Sequence, residues 1–222
     1  RTQVVGINED HIWILQGRYL TCLDQSRDPR RWRIDSLSEK SLWINDLLEM
    51  SNGEVWIGTH GYGLGKLERT SERILYYKKS PKQNNPYVEN IVFKICPDPS
   101  GLLWVGTWTE GLCLFDPKIG KYIRQYKHDP SDTSSIAGNG AVTLHMDKRG
   151  VLWIGTNQFG LDSFDPRTEK FSHWRHSETD TNSPAGNWIG TIHEDIVGNI
   201  WLGSEQGLDK FGKTTGTVKR FG

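Results

Sequence analysis

The chain is poor in the groups that most chemistry needs. Its 222 residues hold three cysteines, Cys22, Cys96 and Cys113. Three cannot all pair, and no Cys-x-x-Cys or Cys/His cluster exists, so they read as small buried hydrophobes and report no redox compartment. Charge of one sign is missing too. The 27 Lys and Arg balance 27 Asp and Glu, so no basic face is implied and nucleic acid is a poor partner. No run of 18 apolar residues is present, so nothing in the segment reads as membrane-inserting. No secretory leader is visible. The chain opens on Arg1 and stops at Phe221-Gly222 inside a strand-like stretch, so a piece of a longer protein is expected. There is no P-loop, no Gly-x-Ser-x-Gly elbow and no Gly-x-Gly-x-x-Gly after a strand. No segment shows a 3.6-residue period.

What is present is aromatic and glycine-rich: ten tryptophans and 24 glycines in a chain only 35 % apolar. That mixture suits short strands joined by tight turns. One cassette recurs four times: Gly53-Glu54-Val55-Trp56-Ile57-Gly58-Thr59, Gly101 to Thr107, Gly150 to Thr156 and Gly198 to Ser204. Its tryptophans, Trp56, Trp104, Trp153 and Trp201, are 48, 49 and 48 residues apart. A period in that range marks a repeat architecture. Around Trp153 the pattern predicts strands over 139–146, 151–156, 161–164 and 170–175, with Asp147-Lys148-Arg149-Gly150 as the first turn. The fourth strand of each copy ends on an aromatic: Tyr77, Tyr126, Trp174 or Phe221. A degenerate fifth copy starts the chain around Trp13, with later strands over 18–24 and 31–34.

A four-stranded unit of this size cannot bury both faces alone. Stacked around an axis, such sheets make a β-propeller. We expect an all-β propeller of about five four-stranded blades in one domain, 1–222, with blades near 1–40, 41–80, 86–128, 136–176 and 187–222. In this reading each tryptophan fills the gap between blades. Gly58, Gly106, Gly155 and Gly203, two places later, let neighbouring backbones approach.

Asp147 through Pro166 resembles the two-component regulator propeller repeat: acidic residue, two spacers, Gly, apolar, Trp-Ile-Gly-Thr, then Gly-Leu and aromatic-Asp-Pro. The segment Tyr126 to Ile136 is similar to that family's spacer between blades. The resemblance covers 41–222 well and 1–40 weakly. It implies the extracytoplasmic or periplasmic input region of a bacterial hybrid histidine kinase or diguanylate cyclase, often tuned to oligosaccharides, and a seven-bladed ring of which this chain would be an arc; closure as a five-bladed ring is the alternative. It implies no catalysis and no cofactor. The partners it implies are an oligosaccharide or small polar ligand and, through the parent protein, a second copy in a homodimer.

The copies diverge in the turns between second and third strands: His60-Gly61-Tyr62, Trp108-Thr109-Glu110, Asn157-Gln158-Phe159 and Glu205-Gln206. In propellers these turns share one rim. Aromatic faces beside carboxylates and amides suit sugar recognition, by stacking on C–H faces and bonding to hydroxyls. The ligand candidates are therefore His60, Tyr62, Trp108, Glu110, Gln158, Phe159, Glu205 and Gln206, weighed against ordinary loop variability. Asp98, Asp147 and Asp195 read as turn residues rather than metal ligands, and Asn90, Asn139 and Asn187 as turn caps. The seven histidines are scattered and no metal site is expected. Two rivals stay open: an enzyme similar to streptogramin lyases, for which His60 and Glu110 would have to converge with a metal, and a protein-interaction scaffold.

Overall fold

The computed structural model describes residues 2–7, 10–16, 19–24, 27–33, 43–71, 73–78 and 90–221. Arg18 and Ile34, given above to strands of the first copy, and residues 86–89 of the third lie outside them. Twenty strands and no helix occur among the described residues. They form five four-stranded antiparallel sheets, each a simple meander. The first is β1 (Thr2–Ile7), β2 (His11–Gln16), β3 (Tyr19–Asp24) and β4 (Arg27–Arg33); the second is β5 (Ile44–Glu49), β6 (Val55–Thr59), β7 (Leu64–Glu68) and β8 (Arg73–Tyr77). The third is β9 (Val92–Pro97), β10 (Leu103–Thr107), β11 (Leu112–Asp116) and β12 (Lys121–Tyr126). The fourth is β13 (Ala141–Met146), β14 (Leu152–Thr156), β15 (Leu161–Asp165) and β16 (Lys170–Trp174); the fifth is β17 (Ile189–Glu194), β18 (Ile200–Ser204), β19 (Gly207–Phe211) and β20 (Val218–Phe221). The degenerate first copy thus completes the same sheet as the others. Packing divides the chain into two compact units, residues 1–95 and 96–222, the division falling inside β9.

The second strand of each cassette carries the core. Every residue of β6, β10 and β14 is buried, although a lone sheet would bury only alternate side chains. Both faces must therefore be covered, as in a stack of sheets. In the first unit Trp13, Leu15, Leu20 and Trp32 pack with Ile44, Leu47, Val55 and Ile57. In the second, Trp104, Leu112 and Leu114 pack with Leu144, Leu152 and Phe164, and Trp153 packs with Ile189, Ile200, Leu202 and Phe211.

Each cassette tryptophan has two aromatic neighbours of fixed origin where a following sheet of the same unit exists. One is the aromatic closing its own sheet: Trp104 lies 6.2 Å from Tyr126 and Trp153 5.7 Å from Trp174. The other is the third-strand phenylalanine of the next sheet: Trp104 meets Phe164 edge-on at 5.4 Å, and Trp153 meets Phe211 at 5.2 Å. Trp56 pairs with Tyr77 at 5.7 Å and Trp13 stacks on Trp32 at 5.3 Å. Among the described residues Trp201 keeps only the first neighbour, Phe221 at 5.4 Å, and it is half-buried.

Gly155 shows why the cassette needs glycine there. A Cβ would collide with Ile189 O of the next sheet and with Thr143 Cγ2. Gly106 meets the same limit, its Cβ falling 2.7 Å from Ala141 O. A register shift recurs in the strand opposite, at Val4/Gly6, Ile44/Asp46, Ala141/Thr143 and Ile189/Thr191. Such a bulge tightens local twist.

Candidate functional site

The turn aspartates do more than shape turns. Asp147 Oδ1 accepts Arg149 N at 2.9 Å and Val151 N at 3.0 Å, while Oδ2 accepts the indole Nε1 of Trp153 at 3.2 Å. Asp98 and Asp195 hold Trp104 and Trp201 in the same way, each at 3.0 Å. The indole thus enters the core with its one polar atom satisfied. Burial pushes the Asp147 carboxyl up, but the bonds from Val151, Trp153, Arg149 and Lys213 outweigh it and leave its pKa at about 2. Asp195 is also held low, chiefly by the Trp201 and Asn199 side chains.

The cassette threonine builds the rim turns. Thr156 Oγ1 donates to Gly160 O at 2.9 Å and accepts Phe159 N at 2.8 Å. Thr107 does the same with Gly111 O and Glu110 N, and Thr59 with Gly63 O and Tyr62 N. Ser204 does it for Gly207 O and Gln206 N. A constant hydroxyl therefore presents variable side chains in one geometry. The asparagines clasp these turns from the next strand entry. Asn139 O accepts Gly111 N at 2.9 Å and Asn187 O accepts Gly160 N at 2.8 Å. Their Oδ1 atoms accept His128 N and His176 N, both at 2.9 Å.

The sequence candidates fall in both units. In the first, exposed His60 lies 6.4 Å from the Trp43 ring, and half-buried Tyr62 lies 5.5 Å from Tyr76. Burial first, and Tyr62 second, push the Tyr76 hydroxyl up to about 12. In the second unit, Trp108 lies 5.9 Å from Trp188, whose side chain is 40 % exposed. Glu110 is held by Lys127 at 3.1 Å and by Gln125 Nε2 at 3.0 Å. Phe159 lies between the His128 ring, stacked at 6.3 Å, and the Arg175 guanidinium at 5.8 Å; Gln158 is exposed. Glu205 and Gln206 line a cleft of about 520 Å³ with His176, Asn187, Asp209 and Arg220. The structure thus joins Trp108 to a partner and places Glu205 with Gln206 at one cleft, while Glu110 and Phe159 each keep separate neighbours.

Residues outside the sequence candidates also matter. Trp188 was signalled only as an aromatic directly after the repeated Asn187. Asp162 and Asp209 are buried on the third strands of successive sheets. The signal was there: they occupy matching places after Gly160-Leu161 and Gly207-Leu208. Asp162 Oδ1 accepts from His173 Nδ1 at 2.7 Å, and this bond holds the imidazole pKa up. Burial pushes both aspartate carboxyls up. Cys22, Cys96 and Cys113 are buried, and no disulfide joins them. Among the described residues no group of three or more His, Cys, Asp or Glu could hold a metal ion, and no helix is long and apolar enough to cross a membrane.

Repeated four-stranded meanders with indoles packed between sheets define a β-propeller. Residues 86–109 and 135–158 match the two component regulator propeller family, so the chain carries repeats of that kind. In fold it is similar to a structure described as the extracellular domain of a hybrid two component system of B. thetaiotaomicron, with a TM-score of 0.74 and 23 % identity over 97 % of this chain and 29 % of that one. A second such domain from the same organism gives 0.73 and 16 %, over 99 % and 30 %. PorZ of Porphyromonas gingivalis, a surface component of the type-IX secretion system, gives 0.69 and 13 %, over 100 % and 33 %. The chain therefore spans about a third of the length of these structures. No curated protein matches its sequence.

Proposed function

We propose that this chain is a ligand-sensing propeller segment of a bacterial signalling protein, placed outside the cytoplasm, that does no chemistry itself. It binds an oligosaccharide or similar polar ligand on its rim and passes the event to a downstream kinase or cyclase of the parent. The repeats matching the two component regulator propeller support the signalling role. The observation that carries ligand binding is the Trp108–Trp188 pair. Two indoles 5.9 Å apart, one of them 40 % exposed, offer an aromatic face on which a sugar ring can stack. Glu205 Oε1, 3.4 Å from Trp188 N, and Gln206 supply acceptors and donors beside them.

The test is calorimetric titration of neutral gluco-, xylo-, arabino- and galacto-oligosaccharides into the chain and into Trp108→Ala and Trp188→Ala. Losing one stacking face is expected to weaken binding roughly tenfold or more. Absence of binding by every sugar, or equal affinity in all three proteins, overturns the reading.

A further inference from the structure

The second unit contains one device built twice. In the fourth sheet, Asp162 Oδ2 accepts Ala137 N at 2.8 Å from the linker, and Oδ1 accepts His173 Nδ1 at 2.7 Å. The other ring nitrogen of His173 lies 3.2 Å from Thr133 O. The buried carboxylate is therefore fully partnered, by a group that can carry positive charge. In the fifth sheet, Asp209 Oδ2 accepts Ala185 N at 2.7 Å, the same bond one repeat on. At the cross-strand position Arg220 replaces His173. Its guanidinium turns to the linker instead, donating to Ser183 O at 3.0 Å, Ser183 Oγ at 2.9 Å and Asp180 O at 3.1 Å. Asp209 is 0 % exposed, and among the described residues its Oδ1 has no hydrogen-bond partner.

A bare buried carboxylate oxygen is costly and rare in folded proteins. This one belongs to the cleft of about 520 Å³ that Glu178, Glu205 and Gln206 also line. That volume suits a small ligand. Three carboxylates line the cleft, with His176 and one guanidinium whose Nε and Nη2 donate to the linker. Acceptors are in excess, so an anion is disfavoured and a cationic donor is favoured. We propose that this cleft binds a small ligand carrying a primary ammonium group, which donates to Asp209 Oδ1 where the preceding sheet uses its own histidine. An ammonium is compact and brings three N–H donors, enough for Asp209 and a carboxylate at the mouth. Because Oδ1 is covered, entry requires part of the cleft lining to move aside. The cleft shares Glu205 and Gln206 with the rim reading but uses neither Trp108 nor Trp188.

The test is calorimetric titration of the 222-residue chain with glucosamine and putrescine, and with N-acetylglucosamine and ethylene glycol as neutral counterparts. Each ammonium compound is expected to bind at least roughly tenfold more tightly than its counterpart, and Asp209→Asn to remove that preference. Asp162→Asn, at the satisfied copy, is expected to keep it. Arg220→His rebuilds the histidine–aspartate pair of the fourth sheet and is expected to block the ammonium compounds, which keeps the test decisive should Asp209→Asn fail to fold. Putrescine has no sugar face for the rim indoles, so its preference over ethylene glycol is read independently of them, and failure of the rim reading leaves this one standing. No preference for the ammonium compounds, or undiminished preference in a folded Asp209→Asn or Arg220→His chain, overturns the proposal and leaves Asp209 Oδ1 to ordered water.

Discussion

Replacing Trp153 by alanine measures what one sheet gains from leaning on the next. The side chain is 2 % exposed. A buried tryptophan hides about 150–250 Å², and at about 25 cal/mol/Å² that is about 4–6 kcal/mol gross. Alanine keeps a little of this, and partial collapse around Trp174 and Phe211 recovers more. The expected cost is about 3–5 kcal/mol. Trp201→Ala is the internal control. Trp201 has the same cassette, the same aspartate bond at 3.0 Å and the same closing aromatic, but no third-strand phenylalanine lies against it among the described residues. Being half-buried, it should cost about half as much. The assay is urea unfolding followed by far-UV circular dichroism, because fluorescence changes when an indole is removed. With a slope of about 2–3 kcal/mol/M for a chain of this size, Trp153→Ala should move the midpoint by about 1–2 M. Hydrogen exchange in β13–β16 assigns the transition to its unit, since two compact units need not unfold together. An unchanged midpoint, or equal shifts for the two variants, refutes the claim that packing between sheets is what the indole is for.

Gly155→Ala should destabilise by roughly 3 kcal/mol, because its new Cβ meets the Ile189 backbone oxygen rather than a side chain that can move; a thermal midpoint within a degree of the parent contradicts this. Thr156→Val should cost about 1–3 kcal/mol by stripping Gly160 O and Phe159 N of their shared hydroxyl, and amide exchange at Phe159 should rise before that of β14; unchanged exchange there removes the turn-building role. The Asp147 carboxyl titrates near 2 in the fold against an ordinary 3.8, and a group lowered on folding stabilises above its unfolded value. Its contribution, about 2 kcal/mol, is therefore complete above pH 3.8 and lost as pH falls toward 2, so Asp147→Asn should flatten the acid limb of urea midpoints over that window. An equally steep limb in Asp147→Asn assigns the acid sensitivity to other groups.

The architecture was legible because its signal is redundant. Trp, Gly and Thr recur together at one spacing, so a single copy can drift, as the one around Trp13 has, without hiding the sheet it builds. Strand bounds around Trp153 were read to within two residues, since Asp147 and Gly150 punctuate them. The partners of polar groups were not legible. That Asp147 would bond an indole six positions on, or that Thr156 would hold the turn displaying Phe159, depends on how a strand crosses back over its own turn, and residue type does not fix that. Trp188 escaped notice because its contact with Trp108 joins residues 80 positions apart, a separation no repeat period marks.

The same redundancy explains where function can be sought. A position repeated in every sheet is committed to packing and cannot vary for a ligand without costing the stack several kcal/mol. Freedom is left at positions that the scaffold orients but does not pack. The rim side chains are one such set, aimed by a constant threonine. The cross-strand partner of the third-strand aspartate is the other. His173 and Arg220 occupy one place in successive sheets, yet the first completes its carboxylate and the second leaves Asp209 Oδ1 without a partner among the described residues. A buried carboxylate oxygen without a donor is costly. Beside an arginine that donates to the linker, it is the pattern expected when the missing donor arrives from outside the chain.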